Sequence, residues 1–170
     1  MYLAPCPTLS GVVVPLAGGM SGVRQTITAM RALVKQYRVD VGMRQIATST
    51  LFPIHARDRM GEAEAIYSRV RDYIRYTPDI YEVETLSSPD KTWQGRIGDC
   101  DDIATLLATL FETVGFATRF VVAGYSASFE PEHVYLQVLV NNEWVNADAS
   151  EKMFFGWMPP NPTCLLMENV

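Results

Sequence analysis

Cys100, His133 and Asp148 have the side chains, and the order along the chain, that a thiol nucleophile, its base and an orienting carboxylate require. Cys100 opens an apolar stretch that reads as a helix. In a first helical turn, unpaired backbone N–H groups and the positive end of the dipole favour a thiolate, the form that attacks a carbonyl carbon. The chain has two histidines, His55 and His133. His133 begins an alternating stretch that reads as a strand, and one small core leaves that strand few places other than beside the helix. Asp148 ends the next strand. A tight turn at Asn141-Asn142 would pair Val140 with Glu143 and set His133 opposite position 150, within slippage of Asp148. A carboxylate there would fix the imidazole's tautomer and aim. Taken singly, a buried Cys is a small core hydrophobe, a His at a strand start is a surface residue and an Asp is a turn residue. In this order and on these elements, the three together point to one site.

Asp99, Asp101 and Asp102 crowd Cys100 with negative charge. They should raise the thiol pKa and oppose the helix dipole. An acidic mouth would favour a cationic substrate or an amine such as a lysine side chain; the simpler account is helix capping plus solvated charge.

The elements that must position these residues follow from periodicity. Arg24 to Tyr37 reads as an amphipathic helix with Ile27, Met30, Leu33, Val34 and Tyr37 on one face. Asp40 would cap a short helix through Ile46. Glu62 to Tyr76 reads as a helix with a buried stripe of Ile66, Tyr67, Val70 and Ile74, ended by Pro78. Tyr81 to Leu86 looks extended and precedes a Ser-Ser-Pro-Asp turn. Asp99 would cap a buried helix from Cys100 to about Val114, with Asp102 in the capping-box position and Gly115 as the left-handed stop. Residues 117–125, 133–140 and 143–147 read as strands. Helices followed by antiparallel strands make an α+β architecture. The expected organisation is an uncharged Gly/Pro-rich arm over 1–22, a catalytic domain over 23–151 and a tail over 152–170.

Composition bounds the class. The length suits one domain with a sizeable core, and a 48% hydrophobic, 19% charged chain is globular. No apolar run is long enough to span a bilayer, and the absence of a basic n-region in Met1 to Val23 speaks against a secretory signal; a cytoplasmic protein is expected. The net charge of −5 is uneven: residues 24–75 balance to +5 and residues 76–170 to −10. The halves could complement each other, or the basic one could dock an acidic partner; the acidic total argues against nucleic acid as ligand, and no membrane contact is expected. Three cysteines at irregular spacing form no disulfide framework, and without a CxxC or HxxxH pair neither a metal site nor a cofactor is expected.

Gly98-Asp99-Cys100-Asp101-Asp102, with Ala104, Leu107, Leu110, Gly115 and then Arg119-Phe120-Val121-Val122-Ala123-Gly124, resembles the core signature of the transglutaminase-like superfamily. So does His133-Val134-Tyr135 leading into Glu143-Trp144-Val145-Asn146-Ala147-Asp148. The resemblance covers roughly Ile66 to Glu151. It implies a papain-like core in which Cys100, His133 and Asp148 form the catalytic triad. Tyr135 stands two positions after the histidine, where the family usually has a tryptophan directly following. The oxyanion of a tetrahedral intermediate needs donors. The backbone N–H of Cys100 is the first, and Gln94 could supply an amide, as a glutamine does at similar spacing in papain-like enzymes. Tyr81 is a second candidate. Trp93, Asp99, Asp101 and Tyr135 are candidates for the substrate-binding surroundings, although Trp93 and Gln94 could simply close a loop.

The resemblance implies acyl transfer through a thioester on a protein or peptide, with protease- or amidase-type hydrolysis as the lead. A cross-linking transglutaminase and a peptidoglycan amidase are alternatives. The chain is also similar to short transglutaminase-like proteins of tailed phages, which would imply a virion or morphogenesis setting. On a structural reading, the arm, the Pro-rich tail and the charge asymmetry would suit a subunit that contacts assembly partners through the arm.

Overall fold

The fold follows from one helix too apolar to face water on any side. The computed structural model describes residues 15–79, 85–125 and 132–170. Its helices are α1 (Gly19–Tyr37), α2 (Val41–Leu51), α3 (Arg59–Tyr73), α4 (Pro89–Gly95) and α5 (Cys100–Thr113). Its strands are β1 (Arg75–Tyr76), β2 (Ile97–Gly98), β3 (Thr118–Gly124), β4 (His133–Val140), β5 (Glu143–Ala147) and β6 (Cys164–Asn169). In α5 every residue from Asp101 to Phe111 is buried. Thr109 can be among them because its hydroxyl donates to the Thr105 carbonyl at 2.8 Å, one turn back. The other four helices pack around α5, and β3 and β4 close its remaining side. The helix stops where expected, at Gly115 with φ +81.

The main sheet has the order β5-β4-β3-β6, antiparallel throughout. Phe120, Val122, Val134, Leu136 and Val138 face the core shared with α5, while Val121, Ala123 and Tyr135 form a smaller cluster on the other face. The β4–β5 hairpin has the expected register, Val140 against Glu143, and Asn141 and Asn142 both take positive φ at its turn. Asp40 caps α2 by accepting from the Met43 N–H at 3.0 Å.

Four expectations need correction. The expected tail is not one: Cys164–Asn169 pairs along β3 as a sheet strand, and a Pro-rich approach conceals such a strand from a pattern search. The helix expected from Arg24 begins at Gly19, inside the expected arm. Uncharged residues give no start signal there, but the chain folds back, with the Ala17 N–H on Gln25 Oε1 at 2.8 Å. A Cβ at Gly22 would meet the Ala17 carbonyl oxygen at 2.1 Å, so only glycine allows this approach. The helix expected over Glu62–Tyr76 is α3, shifted three residues earlier and capped by Asp58; Arg75–Tyr76 instead pairs in parallel with Ile97–Gly98. The expected Ser-Ser-Pro-Asp turn starts α4, with Pro at its first positions. The arm's residues 1–14, and residues 80–84 of the expected extended piece, lie outside the described residues.

Part of the charge asymmetry is spent within the fold. Arg38 meets Glu112 at 3.1 Å and Arg31 meets Glu168 at 3.7 Å, both from the basic half to the acidic one. Among the described residues, no helix is long and apolar enough to cross a membrane.

Candidate active site

Cys100 is the first residue of α5, aimed by a tight β2–α5 junction. A Cβ at Gly98 would meet Asp102 Cβ at 2.8 Å and Thr92 Cγ2 at 3.1 Å, so the glycine lets strand and helix start approach. Asp99 caps the helix, its Oδ1 accepting from the Asp102 N–H at 3.3 Å. Asp102 does not close a reciprocal box: its Oδ1 takes the Ser87 N–H at 2.6 Å and ties the preceding loop to the helix.

His133 begins β4 and Asp148 follows β5. Their side chains meet, Nε2 to Oδ2, at 2.7 Å. The pairing of β4 with β5 ends at Leu136 and Ala147, so a strict continuation would have placed residue 150 opposite His133; Asp148 reaches back past the end of the ladder. Its second oxygen, Oδ1, accepts from the Ser150 N–H at 3.2 Å and the Ser150 hydroxyl at 2.5 Å. The carboxylate is 2% exposed and the imidazole 17%. With Nε2 committed to Asp148, Nδ1 is the ring nitrogen left to take a proton.

Cys100, His133 and Val134 line one cavity of about 310 Å³. Asp79, Asp99, Asp101 and Glu132 make one part of its wall acidic. Val23, Ile27 and Met30 of α1 make another part apolar. Burial pushes the Cys100 thiol up to about 12, with the Asp101 and Asp99 charges adding to the rise. The backbone N–H groups of Val134 and Asp101 pull the other way. The Asp101 and Asp99 charges therefore act in the expected sense, but desolvation is the larger cause and outweighs the pull of the helix start. Asp102 is itself raised to about 6, first by burial and then, against the Ser87 hydrogen bonds, by the Asp99 charge.

One carboxylate oxygen from each of Asp99, Asp101 and Asp102 lies within 4.8 Å of the others, a donor set of the hard-oxygen kind. The remaining candidates separate. Trp93 stacks on Tyr73 with ring centroids 4.2 Å apart, fastening α4 to α3, and Gln94 is exposed beside it. Neither is among the residues that line the Cys100 cavity; α4 turns the Trp93 ring to α3. Tyr135 is buried on the outer sheet face, its ring 5.9 Å from that of His133, and backs the imidazole instead of lining the cavity. Tyr81 lies outside the described residues. Sequence reasoning missed Asp79, Glu132, the α1 wall, Ser150 and Tyr67, whose hydroxyl is 3.0 Å from the Asp148 carbonyl oxygen. Ser150, two residues after an Asp, had a local signal in the aspartate–serine turn; the others had none.

A cysteine-led helix packed on an antiparallel sheet that supplies a histidine and then an aspartate is the papain-like arrangement. The chain belongs to the transglutaminase-like superfamily, whose family model matches residues 49–149. That span runs from the end of α2 through Asp148 and leaves out α1 and β6. No curated protein matches the sequence. Among solved structures, a candidate protease from Parabacteroides distasonis superposes with a TM-score of 0.57 at 13% identity, over 74% of this chain and 26% of that one. A candidate cysteine protease from Cytophaga hutchinsonii gives 0.56 at 14%, over 84% and 55%. Calcium-bound LapG from Legionella pneumophila gives 0.56 at 17%, over 84% and 87%. This chain thus spans about a quarter of the first and about half of the second. At these identities the likeness is one of fold.

Proposed function

We propose that the protein is a cysteine-dependent acyl-transfer enzyme that hydrolyses amide bonds in a protein or peptide, with Cys100 as nucleophile, His133 as base and Asp148 as the group that orients it. The observation that carries this reading is the buried His133–Asp148 hydrogen bond of 2.7 Å at the edge of the cavity that also holds Cys100. A thiol raised to about 12 is neutral at pH 7, so the proton must leave as the sulfur attacks. His133 Nδ1 takes it. The C–S bond forms, the tetrahedral intermediate expels the amine, and His133 returns the proton to that nitrogen. Water, deprotonated by the same imidazole, then releases the acyl group as a carboxylate and restores the thiol.

The acidic part of the cavity favours a substrate that brings positive charge, and its apolar part suits an aliphatic stem. The same charge supports an amine as acceptor, which would make the reaction a transamidation. Peptide amides with Lys or Glu near the reacting carbonyl, acid-quenched and examined by intact-mass spectrometry, test both. Lys peptides are expected to leave a thioester on Cys100, and His133→Ala to slow its formation roughly 100-fold or more. An added alkylamine would divert product from acid to amide if transamidation operates. No adduct with any peptide would leave the domain a scaffold. Two of the features that suggested an assembly subunit, the tail and part of the charge asymmetry, are used within this fold.

A further inference from the structure

We infer that Tyr67 is a positioning residue of this site: its hydroxyl holds the backbone that carries Asp148, so that the carboxylate meets His133 Nε2 and Nδ1 stays free for the thiol. The inference rests on reading Cys100, His133 and Asp148 as a triad.

The sheet does not fix Asp148. The residue lies beyond the last paired position of β5, and the register alone would set residue 150 opposite His133. A hold from elsewhere is needed, and α3 supplies it. Tyr67 is 1% exposed, and its hydroxyl lies 3.0 Å from the carbonyl oxygens of both Asp148 and Met153. A phenol has one proton for two acceptors. Arg71, one turn further along α3, already donates to the Met153 carbonyl at 2.9 Å, and on our inference the Tyr67 proton goes to Asp148. The Tyr67 ring packs against Phe155 with centroids 5.4 Å apart, which fixes where the hydroxyl points. Burial keeps the phenol protonated, and a donor, at any working pH. Asp148 is thereby held at both ends, its carbonyl by Tyr67 and its Oδ1 by Ser150. A buried tyrosine could bond to a carbonyl merely to satisfy its own hydroxyl, and the test must separate that role from positioning.

The imidazole tautomer makes the separation, because it can be read by ¹⁵N NMR of the full chain whether or not the protein turns over. Tyr67→Phe keeps the ring and removes only the hydroxyl. In wild type the neutral ring should carry its proton on Nε2. Asp148→Asn, able to present an amide donor, should move it to Nδ1. Tyr67→Phe is expected to give a mixture of the two tautomers and to slow thioester formation on Cys100 about tenfold, the loss of one hydrogen bond. Its effect should vanish in the double variant with Asp148→Asn, since both act through one carboxylate. A wild-type tautomer in Tyr67→Phe, or a slowing that multiplies in the double variant, would overturn the inference and leave Tyr67 a stability residue. If Tyr67→Phe does not fold, Arg71→Ala replaces it: the phenol proton is then shared with Met153, and a smaller shift in the same direction is expected, no shift being the refutation. A wild type that forms no thioester sinks the proposed activity, while the tautomer still decides the role of Tyr67.

Discussion

The start of α5 and the corner after β5 face the same chemistry with opposite electrostatics. At the helix start, a half-buried thiol lies near the Asp99 and Asp101 charges, and both the thiol and Asp102 are pushed towards their neutral forms, to about 12 and about 6. At the corner, each oxygen of a buried carboxylate has a donor, His133 Nε2 on one and Ser150 on the other. The difference teaches where the readiness of this site lies. His133 is held by a carboxylate whose oxygens both have donors, while burial and neighbouring charge hold Cys100 towards its thiol form. A protein interior tolerates charge only where it is paired, and the corner meets that condition better than the helix start.

Three substitutions at the helix start, none of which touches the corner, sharpen the contrast. The largest expected effect is that of Gly98→Ala. The added methyl meets Asp102 Cβ at 2.8 Å, so the β2–α5 junction must open. A loss of about 2 kcal/mol in urea denaturation is expected, the usual cost of overpacking, with thioester formation falling while the His133 tautomer stays as in wild type. A changed tautomer would mean that the two regions are mechanically coupled and the comparison fails.

Next comes Asp102→Asn, which keeps an acceptor for the Ser87 N–H and removes a buried charge. Asp102 titrates at about 6 in the fold against 3.8 ordinarily, so the folded state binds the proton more tightly. Its contribution to stability is therefore full below about pH 4 and is lost as pH rises through about 6. The variant should escape that loss and exceed wild type by on the order of 1 kcal/mol at pH 7, with no advantage at pH 4. Parallel stability–pH curves would show that Asp102 is no burden to the helix start.

The smallest effect is expected of Asp101→Asn. Burial is the main cause of the high thiol pKa and the Asp101 charge only a secondary one. Alkylation of Cys100 at pH 8 should rise about threefold, because burial, the larger cause, is left in place. A rise of a hundredfold would make charge, not burial, the controlling term.

How far the site could be read from the sequence depended on the range of the interaction concerned. Asp99 before an apolar helix, Gly115 after it and the Asn141-Asn142 turn are local signals, and all three behave as their chemistry dictates. The hairpin count brought His133 to within two residues of its partner, because pairing with a period of two leaves little freedom once the turn is known. The spacing of Gln94 from Cys100 along the chain does not by itself give its place in space, because the path between them turns through α4 and β2. β6 was missed because a strand is recognised by what it pairs with, and its partner lies some forty residues earlier.

By itself, the sequence determined the order of Cys100, His133 and Asp148, the helix and strands that carry or adjoin them, and the sign of the charge around the thiol. All of these rest on contacts within a few turns or one hairpin, where backbone geometry leaves few choices. Only the tertiary structure decided that burial outweighs charge at Cys100, that α1 supplies the apolar wall of its cavity, and that Tyr67 reaches from α3 to the backbone of Asp148. Desolvation and long-range hydrogen bonds depend on which surfaces meet once α5 is enclosed, and in the sequence Tyr67 was one more member of a buried stripe.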